Sequence, residues 1–135
     1  MLDSHFNTTV HLMITLAYKK EEDLSSKSLA ETIGTNPAFI RKIMAKLSRA
    51  GLIETKRGQS GGVCIARPAK EISLKDIYLA VHERNDERHL KASNENCPVS
   101  CSMQSILLKI SSKLEKTHLL ILGRIKLSHL TKDIK

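Results

Sequence analysis

Apolar residues recur along most of this chain at the spacing of amphipathic helices, interrupted once by a short β-like stretch. Phe6, Val10, Met13, Ile14 and Ala17 predict a helix from about Ser4 to Lys19, closed by the charged run Lys19 to Asp23. Ser25 can cap a second, short helix that buries Leu29, Ala30 and Ile33 and stops at Gly34. Asn36 followed by Pro37 starts a third. Asn accepts from a free backbone N–H, and Pro at the first helical position gives up only a donor that would be unpaired anyway. That helix should reach Ala50, with Gly51 as a left-handed cap. Leu52 to Lys56 and Val63 to Arg67 flank the turn Gly58-Gln59-Ser60-Gly61-Gly62, which reads as a hairpin ended by Pro68. Ser73 with Asp76 forms a capping box before a fourth helix burying Leu74, Ile77 and Val81. The polar stretch from Arg84 to Asn96 reads as an exposed loop. A long helix then runs from Pro98 to about Gly123, and a last short one covers Leu127 to Ile134.

The third helix changes the picture. Placed on a wheel of ~100° per residue, Phe39, Ile40, Ile43, Met44, Leu47 and Ala50 share one arc. The opposite arc holds Arg41, Lys42, Lys46 and Arg49 interleaved with Ala38 and Ala45. Long basic side chains reach phosphates and base edges, and alanines let a helix approach a groove floor. A basic face alone can equally be a solvated surface. Its context is more specific: a short helix, a tight turn at Gly34-Thr35, the basic helix, then a glycine-rich hairpin carrying Lys56 and Arg57. This is the order of a helix-turn-helix followed by a wing. The expected fold is mainly α with a small β-hairpin: a winged helix-turn-helix domain over residues 1–83, a sensor-type loop over 84–97, and a dimerisation helix with a C-terminal helix over 98–135.

Composition agrees. A chain of 135 residues with formal net charge +8 and no Trp suits one small domain with an appendage and favours a polyanionic partner. No apolar run approaches the ~18 residues of a spanning helix, so no membrane partner is expected. The first residues, MLDSHFNTTV, lack the order of a signal peptide, so a cytoplasmic protein is expected. Low aromatic content disfavours stacking on single-stranded RNA, the alternative for a winged helix. The other alternative is a thiol-redox or metal-dependent enzyme using Cys97 and Cys101. It finds no C-x-x-C, acid–base pair or phosphate loop to support it.

The order LAETIGTNPAFIRKIMAKLSRAGLIETKRGQSGGVCIARPAKEISLKDIYLAV resembles the Rrf-two family of bacterial winged-helix transcription regulators. Its marks are the Asn36-Pro37 start, the "LSRAGLI" exit, the "RGQSGG" wing turn and "ISLKDIYLAV" after the wing. The likeness continues through "NCPVSCSMQSILLKI" and "IKLSHL". It implies a homodimer on a roughly palindromic operator of double-stranded DNA, joined through the long helix. A repressor is expected, its DNA affinity answering to a redox or metal signal at the loop cysteines. Ala38, Arg41, Lys42, Arg57, Gln59, Ser60 and Gly61 match DNA-contacting positions of the family. Lys46, Arg49 and Lys56 join them as expected phosphate contacts from the residue pattern alone. Met103, Ile106, Leu107, Ile110, Leu114 and Ile121 form the expected dimer stripe. The competing arrangement packs that stripe on the first and fourth helices of the same chain.

Cluster-bearing members of the family carry three evenly spaced cysteines before the long helix. Cys101 stands where the last falls, but Glu95 and His89 stand where the others would be. The histidine expected one turn later is Gln104, and the N-terminal aspartate position aligns with Thr8. The ligand pattern for an iron–sulfur cluster is therefore incomplete, and "NCPV" resembles the single-cysteine loop of members without a cluster. Cys97 and Cys101 sit where a helix N-terminus favours the thiolate, which makes them candidate sensors of oxidants, electrophiles or a soft metal. His82 and His89 could join them around zinc or iron, although no zinc-type spacing is present. Cys64 reads as a packing residue on the wing, and His5 and His11 read as surface residues.

Overall fold

The computed structural model describes residues 3–20, 22, 24–56, 62–82 and 96–134. In chain order the helices are α1 (Ser4–Tyr18), α2 (Ser26–Ile33), α3 (Pro37–Arg49), α4 (Leu74–Val81), α5 (Pro98–Arg124) and α6 (Leu127–Thr131). Strands β1 (Ile53–Thr55) and β2 (Val63–Ile65) and a 3-10 turn (Ala69–Glu71) separate α3 from α4. The chain divides into two compact units, Met1–Glu83 with Leu122–Lys135, and Arg84–Ile121.

Helices α1 to α4 each start where a short polar side chain takes up an unpaired backbone donor. Asp3 Oδ1 accepts from the Phe6 N–H at 2.8 Å at the start of α1. Ser25 and Ser28 exchange backbone-to-hydroxyl bonds at 2.9 and 3.1 Å ahead of α2. Ser73 and Asp76 do the same ahead of α4. At Gly34 and Gly51 the backbone turns left-handed, with φ of 83° and 73°. A Cβ there would meet nothing within 4 Å, so conformation, not space, requires glycine.

The stripes so oriented meet in one core. Leu12 and Met13 of α1, Leu29 of α2, Ile40, Ile43 and Leu47 of α3, and Ile77 of α4 are fully buried. Val10 and Ile14, expected in the core of α1, lie at its margin. The hydroxyls of Thr9 and Thr15 donate back to His5 O and His11 O at 2.8 Å, so their burial leaves no donor unmet.

The hairpin pairs Ile53 with Ile65, Glu54 with Cys64 and Thr55 with Val63, antiparallel. Its strands are shorter than the residue pattern predicts, yet the bonding extends beyond them. Lys56 N–H donates to Gly62 O at 2.8 Å, and Ala66 N–H to Leu52 O at 3.0 Å. Leu24 adds a bridge to Val63 from the far side. After α5, the chain pairs once more: Leu74 N–H donates to Ile125 O at 2.9 Å and Leu127 N–H to Ile72 O at 2.8 Å. This clamp seats Leu127 in the core and sets α6 against α1 and the 3-10 turn.

In the second unit, α5 presents its aliphatic side chains to solvent. Val99 is 65% exposed, Leu108 51% and Leu120 65%, and along the whole helix only Leu122, in the first unit, is buried.

Candidate nucleic-acid interface

α3 is built from its ends inward. Asn36 Oδ1 accepts from the Phe39 N–H at 2.8 Å, and Pro37 occupies the first turn. Ala50 closes the last turn, its N–H bonded to Lys46 O at 3.1 Å. Between these ends, Ile40, Ile43 and Leu47 are buried and Phe39 and Met44 half-buried. Burying each of the three aliphatic side chains is worth roughly 1.5–3 kcal/mol, enough to fix which face of α3 points inward. Ala50, expected on the core arc, is instead exposed. It sits at the C-cap, where the chain already turns away from the core toward Gly51.

The opposite arc is the candidate interface. Arg41, Lys42 and Arg49 are exposed, Lys46 is half-buried, and Ala38 and Ala45 are exposed between them. The Arg49 Nε–H donates to Ala45 O at 3.4 Å. Among the described residues none of these four cations pairs with a carboxylate; Lys19 pairs with Glu22, and His82 Nε2 lies 3.3 Å from Asp3 Oδ2. Among the described residues nothing compensates the positive charge of this face. Lys56 is exposed just after β1. Arg57, Gln59, Ser60 and Gly61 lie outside the described residues, as does His89.

His5 departs from expectation. It is half-buried, its ring edge-on to Phe39 with centroids 5.3 Å apart, and its Nε2 is buried without a hydrogen-bond partner. Its pKa is held below the ordinary histidine value, first by burial and then by the Lys46 cation, with lesser pushes from His82 and Lys42, against an opposing pull from Asp3 that ranks after Lys46. A neutral ring from α1 thus packs against the opening turn of α3. His5 shares one helical face with Thr9 and Leu12, both fully buried.

His82 has structural partners of its own. Its Nε2 lies 3.3 Å from Asp3 Oδ2, and its ring stacks on Tyr78 with centroids 4.0 Å apart. Asp3 is held below the usual carboxylate range, chiefly by the Phe6 N–H and further by His82. Cys64, half-buried on β2, faces Glu54 across the hairpin.

In the second unit, Cys97 precedes α5, and Cys101 lies one turn on, its N–H donating to Cys97 O at 3.0 Å. The Cys97 thiol is pulled below its ordinary pKa by the Ser100 N–H, then by the Val99 N–H and the Ser100 hydroxyl. Three donors at a helix start stabilise the thiolate, the nucleophilic form. Among the described residues no three His, Cys, Asp or Glu side chains gather to hold a metal ion, so the residues in view do not fit a metal centre. No described helix is long and apolar enough to cross a membrane.

A helix-turn-helix with a cationic outer face and an adjoining hairpin defines a winged-helix DNA-binding protein. The Rrf2 (Rrf-two) family model, described as an iron-dependent transcriptional regulator, matches residues 2–133. The chain belongs to that family, whose members are transcriptional regulators and not enzymes. It is 32% identical over 111 residues to the protein aau3 of Rhizobium meliloti, covering 80% of this chain and 72% of that one. The solved structure of T. potens IscR superposes with a TM-score of 0.73 at 25% identity, over 100% of this chain and 88% of that one. Staphylococcus aureus CymR, solved in an oxidised form, gives a TM-score of 0.69 at 26% identity, over 100% of this chain and 98% of that one.

Proposed function

We propose that the protein is a homodimeric, sequence-specific repressor that reads a palindromic operator with α3 and the wing. The observation that carries this reading is the unpaired cationic arc of α3, backed by fully buried Ile40, Ile43 and Leu47. On this reading residues 1–83 bind DNA. Ala38, Arg41 and Lys42 at the start of α3 face base edges, while Lys46, Arg49 and Lys56 neutralise phosphates. Arg57, Gln59, Ser60 and Gly61, at the family's DNA-contacting positions, meet the minor groove or backbone. Residues 98–135 join two copies through Met103, Ile106, Leu107, Ile110, Leu114 and Ile121, all exposed in the single chain. Two copies set two recognition helices on half-sites about one helical turn apart.

Residues 84–97 and the following turn carry the signal. The lowered pKa of Cys97 supports an oxidant-sensing role. The thiolate attacks the O–O bond of a peroxide, the sulfur gains one oxygen as sulfenic acid, and the other oxygen leaves as water after protonation. Cysteines four apart on an intact helix do not close a disulfide readily, so trapping by Cys101 would unwind the first turn of α5. That change lies at the start of the proposed dimer helix, which links the chemistry to operator affinity. That CymR has been solved in an oxidised form is in keeping with such a role.

The test is fluorescence anisotropy on a library of genomic fragments across a salt series. A preferred palindromic site and a steep loss of affinity with salt are expected. Absence of any preferred sequence at low salt overturns the reading. For the sensor, mass spectrometry after mild peroxide should find Cys97 oxidised ahead of Cys64; Cys97 and Cys101 both untouched would remove it.

A further inference from the structure

A second cationic site lies in the first unit on elements other than α3. An open groove of about 670 Å³ runs between the end of α1, the exit of β2, the 3-10 turn and α6. Four cations from three different parts of the chain converge on it: Lys20, Arg67, Lys70 and Lys132. All four are exposed, whereas Ala17 is buried and Ile65, Ala66 and Ala69 are half-buried. The groove therefore has an apolar floor and a basic rim. Ser128 and Thr131 add hydroxyls at one wall, the latter donating to Ser128 O at 3.0 Å. No carboxylate lines it among the described residues, and none of the four cations is in an ion pair with a described residue.

We propose that this groove binds a small organic anion, with a carboxylate or phosphate head on the basic rim and an apolar body on the floor. The volume lies within the roughly 300–1,000 Å³ range of small-molecule sites. A DNA phosphate would use the rim and leave the floor idle, and no residue of α3 lines the groove. The groove also touches the element that bears the wing. Ile65 and Arg67 stand on and just beyond β2, whose partner β1 packs on α3. An anion joining Arg67 to Lys132 would brace the base of the hairpin against α6. By reciprocity, whatever it does to DNA affinity, DNA does to its affinity.

The experiment is isothermal titration of the full chain with phenyl phosphate and, separately, with inorganic phosphate. It is repeated on Arg67→Gln/Lys132→Gln and Lys20→Gln/Lys70→Gln, which alter exposed side chains only. Saturable binding of phenyl phosphate is expected, weakened on the order of tenfold or more by each pair, with inorganic phosphate at least about tenfold weaker. No saturable binding overturns the proposal, and so does binding indifferent to both pairs. Equal affinity for the two probes removes the apolar floor from the site. If both pairs lose duplex affinity while phenyl phosphate binding is unchanged, the groove is a DNA contact and the proposal is wrong. The duplex readout on the Arg41→Ala variant keeps failure here separate from failure of the operator reading.

Discussion

α3 and α5 are both helices with aliphatic stripes, and they dispose of those stripes in opposite ways. On α3, Ile40, Ile43 and Leu47 are wholly inside the chain's own core, and the polar arc is left outward. On α5, Ile106, Leu108, Ile110 and Leu114 lie between 45% and 56% exposed. An aliphatic side chain in water forfeits on the order of 1.5–3 kcal/mol that burial would return. On the reading proposed above, the exposed stripe of α5 meets a surface its own chain does not supply. The difference separates two kinds of apolar pattern: one that folds a chain and one that, on the reading proposed above, pairs it.

The sharpest way to test that separation is to truncate both stripes. Leu47→Ala should cost about 2–5 kcal/mol in denaturant unfolding, because it opens a cavity in a closed core. Ile110→Glu with Leu114→Glu should leave the helical circular dichroism signal in place while shifting sedimentation from dimer to monomer. Operator affinity should then fall by on the order of tenfold or more, since each half-site must bind alone. A wild-type chain that sediments as a monomer, or a double variant that stays a dimer, would end the contrast.

Next in size are the outward cations of α3. Arg41→Ala should cost about 1–3 kcal/mol in operator binding and relax base preference. Arg49→Ala should weaken all sequences alike and lower the salt slope by about one, measured by anisotropy across ionic strength. Identical profiles for the two variants would erase the division between base and phosphate contacts.

Smaller effects report on how the core side is held. Ser73→Ala removes a side chain that accepts from the Asp76 N–H and should cost ~1 kcal/mol in thermal unfolding. The smallest comes from His5. Its folded pKa lies below the ordinary histidine value of about 6.5, so the unfolded chain takes up a proton first as pH falls. Stability from this group is whole above about pH 6.5 and is lost progressively below it. His5→Gln should flatten that part of the pH profile, read by thermal melts; an unchanged slope would place the sensitivity elsewhere.

Much of this was readable from residue order. Local rules suffice for the caps at Ser25, Asn36 and Ser73, because a cap needs only a short polar side chain and a backbone donor a few residues away. The two arcs of α3 follow from helical period alone, and so does the place of the left-handed glycines. The Rrf2 resemblance rested on the same stretch. Other features were out of reach for stated reasons. His5 was misjudged because its burial depends on Phe39, more than thirty positions along, which no local pattern reports. The Asp3–His82 contact and the Ile72–Leu127 clamp join residues far apart in the chain, where only closure of the core brings them together. Ala50 was misplaced because the wheel assumes a helix that continues, and this one ends there.

What the sequence by itself determined is therefore the set of helices, the starts of α2, α3 and α4, and the two arcs of α3, since these depend on neighbours within a turn or two. Tertiary structure alone decided which stripes found partners in the same chain, that α5 kept its own in solvent, and that Lys20, Arg67, Lys70 and Lys132 met around one groove. Those outcomes depend on which distant surfaces compete for burial, a quantity that no window along the chain contains.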